Sequence, residues 1–290
     1  MKKRQHCSAP GVARDRKTEL SKIMSPPAPG RTRAMSAPLL AVQNVSVRFG
    51  SIVALDGVSF DVSAGEITGL IGPNGAGKTT LFNCLSRLYA WQSGEICFAG
   101  TQLLAVPRHR VAALGIGRTF QNLALFDSMS VLENVKVGRH CRTGKGFFAN
   151  MLRLPGVNQE ERSAARRATE LVDYLGLGEV AHIPVAYLPF GTRKRVELAR
   201  ALAADPRLLL LDEPAAGLNH EEVSALGVLI EQIRDDLGIT ILLVEHHMGL
   251  VMSVSDKVVA LNFGRKLAQG TPAEVRQHPE VVQAYLGSVH

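Results

Sequence analysis

No stretch of this 290-residue chain approaches the roughly 20 consecutive apolar residues that a bilayer-crossing helix requires. Any membrane role therefore has to come through a partner. The four cysteines (Cys7, Cys84, Cys97, Cys141) are scattered, with no CxxC pair and no metal-ligand spacing, which points to a reducing compartment and ordinary packing. The N-terminus lacks the apolar run of about 7 to 15 residues that a secretory signal needs. A basic face is missing too, although the formal charge is +7. Nine Lys or Arg fall within residues 1–34 against only Asp15 and Glu19, whereas residues 35–290 carry 24 cations and 24 anions. The body is neutral, so composition points to no nucleic-acid partner. Internal repeats, low-complexity tracts and heptad arrays are likewise absent.

What is present is a basic extension followed by an alternating pattern. Residues 1–38 are rich in Pro, Ser and Arg and are expected to be disordered; Met35 opens a plausible shorter protein at "MSAPLLAVQNVSVRFG". Residues 39–290 are expected to form a single domain. "LLAVQNVSVRF" and "SIVALDGVSFDV" alternate apolar and polar residues as half-buried strands do, with a turn at "FGS". "GEITGLIG" reads as a short apolar strand, and "KTTLFNCLSRLY" has helical spacing at Leu81, Cys84, Leu85 and Leu88. The stretch from about 107 to 190 is more polar and mostly helical in pattern. Beyond it come a helix over 191–204, the apolar strand "RLLLLDEP", a helix over 220–236, the apolar strand "GITILLVE" and a final strand around "DKVVALNFG". Continuous apolar strands between helices imply an α/β fold with a mainly parallel sheet covered on both faces. The helical stretch, about 123–190, is an insertion into it.

The motif "GPNGAGKTT" carries the first chemistry. Gly72 to Thr79 fits G-x-x-x-x-G-K-[ST] between a strand and a helix, the phosphate-loop context. Its glycines let backbone N–H groups turn inward, Lys78 is a point charge for phosphate, Thr79 offers a hydroxyl to Mg²⁺, and the helix N-terminus favours anions. The motif alone fits a kinase, a GTPase or a motor. "LLLLDEP" then puts Asp212 and Glu213 at the C-terminal edge of the sheet, where one acid can organise Mg²⁺ and the other polarise a water. A plain acidic helix cap would look the same. Gln121 in "GRTFQN" and His246 in "LLVEHH" fall where sensors of a terminal phosphate are needed, though each in isolation reads equally as a surface residue.

The ordered set resembles the ATP-binding cassette (ABC) family. With "AAGLNHEEV" and "GRTFQNLALFDSMSVLENV" it is most similar to the ATPase subunits of branched-chain amino-acid importers, over about residues 39–288. The resemblance implies a P-loop NTPase core with an N-terminal antiparallel β subdomain and an inserted helical subdomain. It implies a peripheral ATPase at the cytoplasmic face of the bacterial inner membrane, joined to two permease subunits and fed indirectly by an external solute-binding protein. It implies ATP and Mg²⁺: Gly72, Pro73, Asn74, Gly75, Ala76, Gly77, Lys78, Thr79 and Thr80 form the phosphate loop, and Phe49 stacks on adenine. Thr79, Gln121 and Asp212 serve the metal, while Glu213, His246 and Gln121 serve hydrolysis.

The family's LSGGQ signature becomes "LPFGT", Leu188, Pro189, Phe190, Gly191 and Thr192. The serine hydroxyl is gone, but Gly191 still permits close approach and the following helix still directs its dipole at an anion. A lost neutral hydrogen bond costs about 0.5 to 1.5 kcal/mol, so the element is expected to work. It would contact ATP held by a second, paralogous cassette, head to tail. Asn219 and His247 stand where aspartates are usual. The solute rests on branch resemblance alone, and urea or short amides are the alternative. A soluble nucleic-acid or ribosome-associated ATPase would need a coiled-coil insertion or tandem cassettes, which the chain lacks. A non-catalytic module would not need Gln121, both acids and His246 together.

Overall fold

The computed structural model describes residues 37–120, 123–142 and 157–286. The basic extension, apart from its last two residues, and Gln121 lie outside them. The described strands, in chain order, are β1 (Leu40–Phe49), β2 (Ile52–Val62), β3 (Ile67–Ile71), β4 (Ser93–Phe98), β5 (Thr101–Gln102), β6 (Ile116–Arg118), β7 (Leu208–Asp212), β8 (Thr240–Val244), β9 (Lys257–Asn262) and β10 (Arg265–Gly270). The α-helices are α1 (Lys78–Leu85), α2 (Val111–Leu114), α3 (Val131–Gly138), α4 (Val157–Tyr174), α5 (Phe190–Leu202), α6 (His220–Leu237), α7 (Met248–Val254), α8 (Pro272–Gln277) and α9 (Pro279–Leu286).

Two sheets form. An antiparallel sheet has the order β2-β1-β4-β5, and a six-stranded sheet has the order β10-β9-β3-β8-β7-β6, parallel except for the β9/β10 pair. The expected N-terminal antiparallel unit is therefore present, and wider than the hairpin alone. The strands of the parallel sheet are apolar throughout because each face has its own core. In β7, Leu208 and Leu210 join Leu70, Leu242 and Val244 in a cluster with α1 and the antiparallel sheet. Leu209 and Leu211 join Ile67, Ile71, Ile241 and Leu243 on the opposite face, under α3 to α7. Alternation at period two, with both sides buried, is what merges into an unbroken apolar run.

Two expectations need correction. The strand around "DKVVALNFG" is not the last element: β10, α8 and α9 follow it, and α8 starts with a capping box at Thr271 and Glu274 plus a proline in its first turn. The stretch from 107 is also not helical without a break: after the short helix α2, β6 pairs with β7. Three residues flanked by glycine and threonine are too short for a periodic signal. Between β6 and β7 the chain carries α3, α4 and α5, so the helical segment does interrupt the parallel sheet.

Candidate functional site

The phosphate loop joins β3 to α1. Its shape depends on glycine at two points. Gly77 has φ +101°, and a Cβ there would lie 2.6 Å from the Ala54 carbonyl oxygen and 2.7 Å from Leu55 Cδ2. A Cβ on Gly72 would run into the Leu261 carbonyl and lie 2.9 Å from Ala76 Cβ. The loop is thus clamped between β2 and the end of β9, while Asn74 and Gly75 form its exposed tip. Gly77 caps α1 without a side-chain acceptor, so the first-turn N–H groups around Lys78, Thr79 and Thr80 remain available to an anion. Lys78 is buried, and its Nζ donates to the carbonyls of Gly72 at 2.6 Å and Pro73 at 3.0 Å. Burial pushes its pKa down, and the nearby Glu213 and Asp212 charges partly restore it. An ammonium so placed is a poorly hydrated cation with carboxylates within electrostatic range, suited to polyphosphate.

β7 ends at Asp212, and the next residue, Glu213, leaves the strand with φ +49° while its N–H donates to the Val244 carbonyl at 2.8 Å. A non-glycine residue in the left-handed region is strained and usually held for a purpose. Here the turn brings Glu213 Oε1 to 2.8 Å from His246 Nε2, at the end of β8. Adjacent parallel strands therefore deliver the two residues to one point. Asp212 is buried and pairs with Arg118 at 2.8 Å. Arg118 also donates to Asn83 Oδ1 at 2.9 Å and Ser86 Oγ at 3.0 Å, and packs over the rings of Phe82 and Phe120. Asp212 is thereby fixed by the edge strand β6. Next along the chain, Phe120 N–H donates to Glu197 Oε1 at 3.0 Å. Glu197 is buried, which raises its pKa, against the lowering effect of the Phe120 and Ala124 N–H groups.

The "LPFGT" segment begins α5. Leu188 is buried, Pro189 occupies the N-cap and cannot cap through its side chain, and Phe190 opens the helix one residue earlier than the periodicity predicts. Phe190 is 46% exposed, with its ring against Gly217 in the loop that follows Glu213. Gly191 is approached within its own chain: a Cβ there would lie on Glu222 Oε1 and 3.2 Å from Glu222 Cδ. Glu222 and Asn219 form a reciprocal capping box that starts α6, so Asn219 has a local structural task. Thr192 is half-buried in the first turn of α5. His247, in turn, caps α7 by accepting the Leu250 N–H at 3.2 Å. Phe49, 47% exposed at the end of β1, sets its ring edge-on to Tyr89 with centroids 5.2 Å apart. Because Ala54 and Leu55 press on Gly77, this hairpin tip lies on the phosphate-loop side.

Sequence reasoning missed four residues here: Arg118, Glu197, Glu245 and Tyr285. Glu245 is buried and accepts three backbone N–H groups, from Ala215 at 2.6 Å, His246 at 2.9 Å and His247 at 3.1 Å. Tyr285 of α9 lies beside the Gly72 backbone, and burial raises its pKa against the lowering effect of that backbone. The signal for the first three was a charged residue embedded in an apolar or motif segment.

Comparison with known proteins identifies the family. Residues 55–216 match the family model "ABC transporter", and residues 265–290 match "Branched-chain amino acid ATP-binding cassette transporter". The chain is 42% identical over 253 residues to the high-affinity branched-chain amino acid transport ATP-binding protein BraF of Pseudomonas aeruginosa, covering 87% of this chain and 99% of that one. It is likewise 42% identical to LivG of Escherichia coli, with the same coverage. The crystal structure of an ATP-binding cassette of an ABC transporter in its ADP conformation superposes with a TM-score of 0.75 at 29% identity, over 87% of this chain and all of that one.

Proposed function

The chain belongs to the ABC transporter family as a transport ATPase, and from that premise we propose that it hydrolyses ATP to drive import of branched-chain amino acids. The observation that carries hydrolysis is the Glu213–His246 contact of 2.8 Å at the mouth of a phosphate loop with a buried lysine. The solute is taken from what BraF and LivG are named for and from the match of residues 265–290.

In this reading the α1 N-terminus and Lys78 hold the phosphates, and a face of Phe49 stacks on adenine. Thr79 and Asp212 are oxygen donors suited to Mg²⁺, and among the described residues there is no cluster of three His, Cys, Asp or Glu. That fits an ion that draws most of its ligands from phosphate and water. When bound, Mg²⁺ would withdraw charge from the phosphate oxygens. Gln121 is assigned to the same shell. Glu213 orients and polarises the attacking water, and His246 steadies the Glu213 carboxylate and faces the terminal phosphate.

A cassette of this family works as a pair and acts on membrane-spanning permease subunits. We take the second cassette to be a distinct paralogue, docked head to tail, so that each "LPFGT" meets the nucleotide of the other. Among the described residues no helix is long and apolar enough to cross a membrane. We place the chain peripherally at the cytoplasmic face of the inner membrane, through its permease partners. The segment 123–135 is suited to the permease contact: Phe126 and Met129 are exposed, while buried Asn134 pins the loop through the Phe126 N–H at 2.9 Å and the carbonyls of Phe126, Met129 and Ser130.

The test is uptake of labelled leucine in the native bacterium after deletion of the gene, complemented by wild type or by Glu213→Gln. Uptake is expected to fall on deletion and to return only with wild type. Unchanged leucine uptake, with urea or amide uptake lost instead, would replace the solute; restoration by Glu213→Gln would overturn the hydrolytic role.

A further inference from the structure

We propose that Glu245 is a positioning residue for hydrolysis, a carboxylate clamp that holds the Glu213 loop and the His246 loop in register. The proposal rests on the assignment of Glu213 and His246 above. Glu245 stands at the end of β8, 3% exposed, and takes part in none of the ion pairs formed by the described residues. A buried carboxylate without a cation is costly unless its oxygens are satisfied by hydrogen bonds. Both oxygens of Glu245 are satisfied, entirely by backbone. Oε1 accepts from Ala215, two residues after Glu213, and Oε2 accepts from His246 and His247.

The topology explains what this achieves. Glu213 and His246 come from the ends of adjacent strands β7 and β8, and each sits in the loop that follows its strand. Strand pairing fixes the loops only up to Asp212 and Val244. Beyond that, the bond from the Glu213 N–H to the Val244 carbonyl and the Glu245 clamp tie them together. The side-chain contact of 2.8 Å between Glu213 and His246 is thus supported from behind. Glu245 is not itself a base for the reaction, because its oxygens are committed to backbone donors. The same clamp reaches the segment from Ala215 to Asn219, against which Phe190 packs at Gly217. Glu245 is therefore a common anchor for the Glu213 loop, the His246 loop and, at one remove, "LPFGT".

The discriminating variant is Glu245→Gln, which keeps the shape but has a single acceptor oxygen and sets an NH₂ group against backbone N–H donors. In the full-length chain assembled with its permease subunits, turnover at saturating ATP should fall about 10- to 100-fold, the scale expected for a misplaced catalytic group. ATP affinity, measured with a fluorescent nucleotide, should stay near wild type, while the thermal midpoint falls by a few degrees because a buried donor is left unsatisfied. Glu245→Asp, which keeps both oxygens, should recover part of the rate. Combined with Glu213→Gln, Glu245→Gln should cause no further loss, because the clamp acts through Glu213. A wild-type rate in Glu245→Gln, a rate loss matched by a loss of ATP affinity, or an additive double variant would each overturn the clamp. If Glu213→Gln and His246→Ala themselves turn over normally, the assignment beneath it fails as well.

Discussion

Replacing Gly191 by alanine should leave the fold almost as stable as before and yet impair hydrolysis. Gly191 is the second residue of α5, where alanine is favoured over glycine by up to about 1 kcal/mol. Against this, the new Cβ would displace the Glu222 carboxylate. Glu222 lines a cavity of about 410 Å³ and has room to swing away, so the clash is relieved at the cost of one hydrogen bond. That bond is the one from Asn219 N–H to Glu222 Oε2, 2.9 Å long; it ends on a carboxylate but is exposed to water, which puts it at the lower end of about 1.5 to 3 kcal/mol. The two effects nearly cancel, and the thermal midpoint should move by no more than about 4 °C. The displaced box, however, anchors the loop after Glu213, and a shift of about 1 Å at a catalytic group can cost up to about 100-fold in rate. Thermal unfolding and steady-state ATP hydrolysis on the same preparation test this. In a Glu222→Ala background the obstacle within the chain is gone, so the part of the rate loss that acts through Glu222 should disappear, and what Gly191→Ala still costs there belongs to the contact of "LPFGT" with the second cassette's nucleotide. A wild-type rate for the single variant, or a midpoint lowered by far more than that limit, would refute the reasoning.

Lys78→Ala should abolish detectable binding of a fluorescent ATP analogue while the chain remains folded, since the ammonium bonds only to loop carbonyls and is already penalised by burial. Retained nanomolar to micromolar binding would remove Lys78 from the site. Glu213→Gln should slow single-turnover hydrolysis by about 100-fold or more and leave ATP affinity unchanged, as expected for loss of a general base; equal loss of affinity would make Glu213 a binding residue instead.

The parts of this protein that were legible from its sequence are those whose cause is local. The phosphate loop announces itself because its glycines, Lys78 and Thr79 stand at a fixed spacing within nine residues, and the helix and strand flanking it carry their own periodicity, although the contacts that demand glycine at Gly72 and Gly77 come from Leu261 and from Ala54 and Leu55. β7 and β8 were readable as doubly covered strands for the same reason. Short strands without a period, β5 and β6, were invisible, since only a neighbouring strand makes them strands. The supporting shell was invisible too. Arg118 meets Asp212, Glu197 meets Phe120, and Glu245 meets Ala215 through contacts that span 94, 77 and 30 residues of sequence. No spacing rule couples such positions. The departure at "LPFGT" was legible as a departure, but its local counterpart, Phe190 seated on Gly217, was not.

The placement of Tyr285 and of β3 has a consequence for how the protein is made. The strand that carries the phosphate loop lies between β8 and β9, and Tyr285 lies beside the first glycine of the loop. All three partners are translated long after Gly72; at about 5 to 20 residues per second the ribosome reaches Tyr285 about 10 to 40 s later. A nascent chain therefore exposes the nucleotide loop well before the elements that set its shape exist. The loop thus reaches its final shape only after the C-terminal elements have been made.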